Sequence, residues 1–386
     1  MDEKSRLIRA GSKAPAGLNR TVGPPIQKGS TILMPDAASL YDVTQTTYGR
    51  AGLASHDALI EALAELEGAH TVRLFPSGLA AITGAILAVV KSGDDVLMTD
   101  GAYKPTRRFC ENVLKGRLGI TVRYFAPDAS PEDVLGMANE KTRLIVMESP
   151  ASLTFEMQDV PAIAAAARAK GILTLLDNTW AAGLYFKPLA HGVDISVQAL
   201  TKYVGGHSDC FMGSAAVTDP KLGAALHQAI IDFGWAVSPD DAYTMLRGLR
   251  TLPTRMARHG TSSLKVAAWL ESQAQVGEVL HPALPGAPGH KLFQASYSGA
   301  PGLFAFVLKG AAPRQVLAFL DALKLFGLGF SWGGFESLAL DGDDQFKVRK
   351  AKKDYGGPVI RLAIGLEDPD DLIADLEQAL AAAAIA

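Results

Sequence analysis

From His56 onward, Leu59, Leu63 and Leu66 recur at helical spacing until Gly68 interrupts them, which predicts a helix with one buried face. A second helix fits residues 79–90, where the apolar run stops at Lys91. Short apolar runs then alternate with helical stretches. Residues 95–99, 121–125, 144–147, 172–176, 195–199 and 214–218 read as strands, and the alanines of 160–169 favour a helix between two of them. These strands are nearly continuous in apolar residues, as strands covered on both faces are. The alternation predicts an α/β domain with a mostly parallel central sheet flanked by helices, placed at residues 51–245.

The flanks read differently. Residues 1–50 are rich in Gly, Pro, Ser and Thr with weak periodicity, and Gly23-Pro-Pro25 with the polar run 44–49 suggests an extended arm. Beyond Leu249 the spacing predicts a long helix over 255–273, a Pro/Gly-rich loop over 281–289, strand–helix–strand elements, and a closing helix over 369–384. Residues 246–386 therefore read as a smaller C-terminal α+β domain. The chain shows no internal repeat.

Composition narrows the functional classes. At 386 residues the chain exceeds what one core usually serves, which supports two domains. A net charge of −3 gives no electrostatic reason to expect nucleic acid or an anionic membrane as partner. The charged start lacks an apolar segment of the secretory kind. The longest apolar run, 79–90, falls short of the roughly 18 residues that a membrane span needs. Cys110 and Cys210 are expected to be free thiols, and a cytoplasmic location is expected. The histidines show no metal-ligand spacing, so no catalytic metal is expected.

Ligands of open parallel sheets gather beyond the carboxyl ends of the strands. Two such ends carry chemistry. The apolar run 172–176 leads into Asp177, and the run 195–199 leads through Thr201 to Lys202. An acid and a lysine so placed could serve pyridoxal 5′-phosphate (PLP): the acid keeps the ring nitrogen protonated, and the lysine supplies the amine that takes up the aldehyde. On position alone, a structural ion pair or two separate caps accounts for them at least as well. Ser77-Gly78-Leu79 opens a helix, where free N–H groups favour an anion such as phosphate, although Ser-Gly turns are also ordinary caps. No Walker or Gly-x-Gly-x-x-Gly sequence supports a nucleotide site.

Asp177-Asn-Thr-Trp-Ala-Ala-Gly183, Ala199-Leu-Thr-Lys-Tyr203 with Gly206-His-Ser-Asp209, and Tyr48-Gly-Arg50 resemble the PLP-dependent enzymes of cysteine and methionine metabolism. Tyr103-Lys-Pro-Thr-Arg-Arg108, Arg247-Gly-Leu-Arg-Thr-Leu252, His281-Pro-Ala-Leu-Pro-Gly286, Ser331-Trp-Gly-Gly334 and Arg361-Leu-Ala-Ile-Gly-Leu-Glu367 extend the likeness over nearly the whole chain. The resemblance implies the fold type I architecture of PLP-dependent transferases. It makes Lys202 the residue that holds PLP covalently and carries protons, and Asp177 the partner of the ring nitrogen. Gly78, Leu79 and Thr201 would bind the phosphate, and Tyr103 would stack on the ring and serve as acid or base. Tyr48 and Arg50 would reach the phosphate of a neighbouring subunit, in a homotetramer built as a dimer of dimers with shared active sites. Arg361 would take the substrate carboxylate, with Ser331, Trp332 and Tyr243 lining the pocket.

Within that family the likeness is greatest to the C–S lyases that eliminate at Cβ of cystathionine, releasing homocysteine, pyruvate and ammonia. Rival readings are γ-elimination or γ-synthase chemistry, a broader cysteine-S-conjugate lyase, an aminotransferase, and a non-catalytic regulator on a PLP scaffold. Three positions depart from many relatives. Ala199 stands in place of a serine hydroxyl, Ser149-Pro-Ala-Ser152 in place of Ser-Pro-Thr-Asn, and Ala51 in place of a second polar residue after Arg50.

Overall fold

The computed structural model describes residues 2–12, 21–42, 44–351 and 353–384; part of the expected arm, residues 13–20, lies outside them. Seven strands form the first sheet: β1 (Thr71–Phe75), β2 (Asp95–Thr99), β3 (Thr121–Phe125), β4 (Thr142–Glu148), β5 (Leu173–Asp177), β6 (Ile195–Gln198) and β7 (Gly213–Val217). Their order is β1-β7-β6-β5-β4-β2-β3. The pairs from β3 to β6 are parallel, and β7 runs against both its neighbours. This is the mostly parallel sheet that the pattern predicts. β1 lies outside the predicted strands, although its Thr-Val-Arg-Leu-Phe differs from β3 at one residue only.

Both faces of the sheet are covered, which is why its central strands are mostly apolar. On β4, Leu144 and Val146 pack with Ile82 and Ile86 of the helix Gly78–Leu87. Ile145 and Met147 point the other way, onto Ile163, Ala164 and Ala167 of the helix Val160–Ala169. The leucines of the helix Ala54–Glu67 meet Met245, Leu246, Leu249 and Leu252 in a further cluster.

Those last four residues belong to one 33-residue helix, Pro239–Glu271. The sequence predicts only its second half, because Pro253 reads as a helix breaker. Its C-terminal part carries Val266, Ala267 and Leu270 into the core of a second sheet. That sheet comprises β8 (Val276–Leu280), β9 (Leu303–Leu308), β10 (Gly327–Leu328), β11 (Leu338–Asp341) and β12 (Val359–Ala363), in the order β10-β11-β12-β9-β8. The helices Pro313–Ala322 and Pro369–Ala382 pack on it. No helix among the described residues is long and apolar enough to cross a membrane. Cys110 and Cys210 are free and buried.

Candidate active site

β5 delivers Asp177 as its last residue, and β6 leads four residues later to Lys202. Thr179 ties the two strand ends together. Its hydroxyl donates to Asp177 Oδ1 at 2.5 Å and accepts the Ala199 N–H at 2.9 Å, while its own N–H reaches the same carboxylate at 3.1 Å. This is an Asx-type turn, which sets the direction of the acid. Behind the lysine, Arg255 of the long helix donates to Tyr203 O at 2.6 Å, Val204 O at 3.2 Å and Gly248 O at 2.7 Å. The helix comes this close because Gly248 has no side chain: a Cβ there would lie 2.4 Å from the carbonyl oxygens of Val204 and Gly205.

The helix Gly78–Leu87 begins against the same strand end, where a Cβ on Gly78 would lie 2.4 Å from that of Ala199. Ser77 Oγ caps it by accepting the Ala80 N–H at 3.0 Å. The N–H groups of Gly78 and Leu79 belong to the first turn and have no carbonyl within the helix to bond. Thr201 is engaged with the turn that follows β6 and precedes β7. Its hydroxyl donates to Met212 O at 3.2 Å and accepts the Met212 N–H at 3.0 Å, so its one proton is directed into the turn.

Residues 329–334, between β10 and β11, close the cleft. Ser331 Oγ accepts from Lys202 Nζ at 2.8 Å, and that Nζ stands 5.2 Å from the centre of the Trp332 ring. Gly333 has φ +81°, and a Cβ on it would lie 2.9 Å from Tyr203 N. Arg361 of β12 is 4% exposed. Its guanidinium donates to Phe330 O and Gly329 O at 2.9 Å each and to Ser331 O at 2.8 Å, while the buried Nε has no partner. Tyr103 starts the helix Lys104–Phe109, with its ring half exposed and its N–H on Glu148 Oε2 at 2.7 Å.

Burial governs the charges. It pushes the Asp177 carboxyl above its ordinary range, against the hydrogen bonds from Thr179 and the charge of Lys202. It pulls the Lys202 amine down to about 8, assisted by Arg361 and opposed by Asp177. Burial also lowers the Arg361 guanidinium to about 10. A lysine so placed is far more often neutral near pH 7 than an exposed one, and a neutral amine is the nucleophilic form.

Tyr48 and Arg50 stand apart from this group. They line a cavity of about 180 Å³ with Arg73, His227 and Trp235. Tyr243 meets the N-terminal arm, where a Cβ on Gly23 would lie 3.1 Å from its hydroxyl. Among the described contacts, none joins these three residues to Lys202. Conversely, Thr179, Arg255 and Glu148 shape the cleft without having been marked in the sequence. Thr179 was legible as the second residue after an Asp at a strand end. Nothing local distinguishes Arg255 from a solvated helix residue.

The family of Cys/Met metabolism PLP-dependent enzymes matches residues 4–381. The chain belongs to that family. It is 46% identical to a putative cystathionine beta-lyase of Rhizobium johnstonii, over 98% of this chain and 96% of the relative. It is 41% identical to the cystathionine beta-lyase MetC of Escherichia coli K12, over 98% of each. It is also 39% identical to an L-alanine/L-glutamate racemase of Wolbachia pipientis wMel, over 99% of this chain and 97% of that one. The crystal structure of metB from Corynebacterium glutamicum superposes with a TM-score of 0.92 at 30% identity, covering 99% of this chain and 98% of that one.

The chain is thus a PLP-dependent enzyme with the fold type I architecture. The residues present fit the cofactor. Asp177 is a deep carboxyl opposed by a single cation, Lys202, and can receive a protonated ring nitrogen. The first-turn N–H groups at Gly78 and Leu79 can receive a phosphate. Lys202 is depressed in pKa and free to swing from Ser331 to an aldehyde.

Proposed function

We propose that this enzyme is a carbon–sulfur lyase that cleaves L-cystathionine by β-elimination. The observation that carries the reading is the convergence of Lys202, Asp177, Tyr103 and Arg361 on one cleft, together with relatives at 46% and 41% identity that bear the cystathionine beta-lyase name. Bound PLP supplies an electron sink for the pair left on Cα when its proton is removed. Asp177 holds the ring nitrogen protonated. Lys202 would hold the cofactor and would take the Cα proton, and Tyr103 would flank the ring as a second acid or base. Gly78 and Leu79 hold the phosphate through their N–H groups.

Arg361 binds the α-carboxylate. Three of its N–H bonds are already spent on the carbonyls of residues 329–331, so a two-point grip on a carboxylate requires that loop to give way. Ser331 and Trp332 therefore move with substrate binding. Replacing Arg361 with lysine keeps the charge but not the fork, and kcat/KM should fall by about 10- to 100-fold, chiefly through KM. Steady-state kinetics on cystathionine check this. If KM stays at the wild-type value, Arg361 is not the carboxylate site.

The product assay is direct. Purified protein with L-cystathionine should yield pyruvate and homocysteine. Formation of 2-oxobutyrate and cysteine instead would establish γ-elimination, and conversion of L-alanine to D-alanine without keto acid would align the chain with its racemase relative. The lowered pKa of Lys202 adds a prediction for the apoprotein. Covalent capture of added PLP, followed by its visible absorbance, should accelerate as pH rises and level off above about 8, whereas an ordinary lysine would keep gaining to beyond pH 10.

Tyr48 and Arg50 serve the active site of a second copy in a homotetramer, a reading supported by their distance from this chain's own lysine group and by the half-exposed Tyr48 ring. Tyr243 lines the substrate pocket from the arm side. The arm 1–50, a PLP-binding domain 51–245 and a small domain 246–386 are the units of this assembly, which acts in the cytoplasm.

A further inference from the structure

β4 ends on Glu148 as β5 ends on Asp177, and the two are paired in register across the sheet. Two carboxyl groups therefore stand side by side on the floor of the cleft. Asp177 has a stated task and Glu148 has none. The contact that distinguishes Glu148 is the one from the Tyr103 backbone N–H to its Oε2, at 2.7 Å and across 45 residues of sequence. Tyr103 opens the helix Lys104–Phe109 without a side-chain cap of its own, so the start of that helix is fixed from a neighbouring strand.

The turn before Tyr103 is fixed at its other end as well. Asp100 is 1% exposed and its carboxylate accepts the N–H groups of Lys350 and Ala351 at 2.7 Å each, together with the guanidinium of Arg107. Gly101 between them leaves no room for a side chain, since a Cβ there would lie 2.6 Å from that of Ala151. Tyr103 as a whole is 45% exposed, so what holds its backbone bears on where its side chain stands.

We propose that Glu148 is the positioning residue for Tyr103, holding the tyrosine's backbone beside Asp177 so that its ring keeps its place over the bound cofactor. A neutral oxygen acceptor serves this purpose as well as a charged one. The proposal rests on the assignment of Tyr103 to the cofactor and goes beyond it by naming what fixes the ring.

The test uses Glu148→Ala, Glu148→Gln and Tyr103→Ala, plus the Glu148→Ala/Tyr103→Ala double variant, with PLP titrated into apoprotein and the visible circular dichroism of the bound cofactor recorded. Glu148→Ala should weaken PLP binding by about tenfold, the value of one lost hydrogen bond to a deep acceptor, and change the dichroic band. Glu148→Gln should stay within about threefold of wild type, because the amide oxygen still accepts the N–H. In the Tyr103→Ala background the further change Glu148→Ala should have no effect on either readout, an outcome that a general loss of structure does not produce. Glu148→Leu replaces the alanine variant if the latter fails to fold. A glutamine variant as impaired as the alanine one overturns the proposal, as does additivity in the double variant. Wild-type behaviour of Tyr103→Ala overturns the assignment of the ring to the cofactor, and the proposal with it. None of these readouts depends on which amino acid is the substrate.

Discussion

Replacing Lys202 with alanine should abolish turnover and remove the visible absorbance of the bound cofactor. Two losses combine. On the proposed assignment the amine that would hold PLP disappears, and so does the base for the Cα proton, a role worth about 10²- to 10⁴-fold by itself. Turnover of cystathionine should therefore drop by at least about a thousandfold. The fold should tolerate the change. Lys202 Nζ makes one side-chain hydrogen bond, to Ser331, while the turn around it is held by Arg255 through backbone carbonyls that alanine retains. Thermal melting of the apoprotein separates this outcome from unfolding. A Lys202→Ala variant that keeps both the absorbance band and the activity sinks the assignment.

Asp177→Asn should give the second-largest effect and a change of opposite sign in stability. Asparagine keeps an oxygen for the N–H and hydroxyl of Thr179, so the turn survives. What goes is the negative charge that keeps the ring nitrogen protonated, and kcat should fall by about 10²- to 10³-fold. In the apoprotein that charge is a liability. Its folded pKa is raised by burial, so folding is disfavoured once pH exceeds the ordinary carboxylate range, and the penalty grows until pH passes the folded pKa. The Asn variant lacks this penalty. Its apoprotein should melt about 1–3 °C above wild type at neutral pH, with no gain at pH 3 where both states of Asp177 are protonated. An apoprotein that melts no higher at pH 7 would falsify the account of Asp177 as a strained acid awaiting a cation.

Much of this was legible in the sequence because buried strands leave a plain signature. The central strands are mostly apolar on both faces, so the polar Asp177 and Lys202 stand out at and just beyond the ends of their runs. Glu148 obeys the same rule. It follows the apolar run 144–147 as Asp177 follows 172–176, yet it carries no recognisable motif and is singled out only by the contact to Tyr103. The rest was hidden for physical reasons. Arg361 reads as one charge inside an apolar strand, and its meaning depends on carbonyls about thirty residues away. Thr201 offers a hydroxyl beside the lysine, and in this structure it bonds the backbone of Met212.

Secondary structure failed where local preference and tertiary packing disagree. Pro253 removes one helical hydrogen bond, and residues 239–254 hold Gly248 as well. Both residues are buried in the finished helix, where packing against the helix Ala54–Glu67 outweighs their cost.

That 33-residue helix also bridges the two sheets. Near its middle Arg255 braces the turn after Lys202 through the Tyr203 and Val204 carbonyls, and its C-terminal part packs beneath the sheet that carries Arg361. The turn that carries Lys202 and the second sheet therefore rest on one continuous element, and they lose their relative placement together if that helix unwinds.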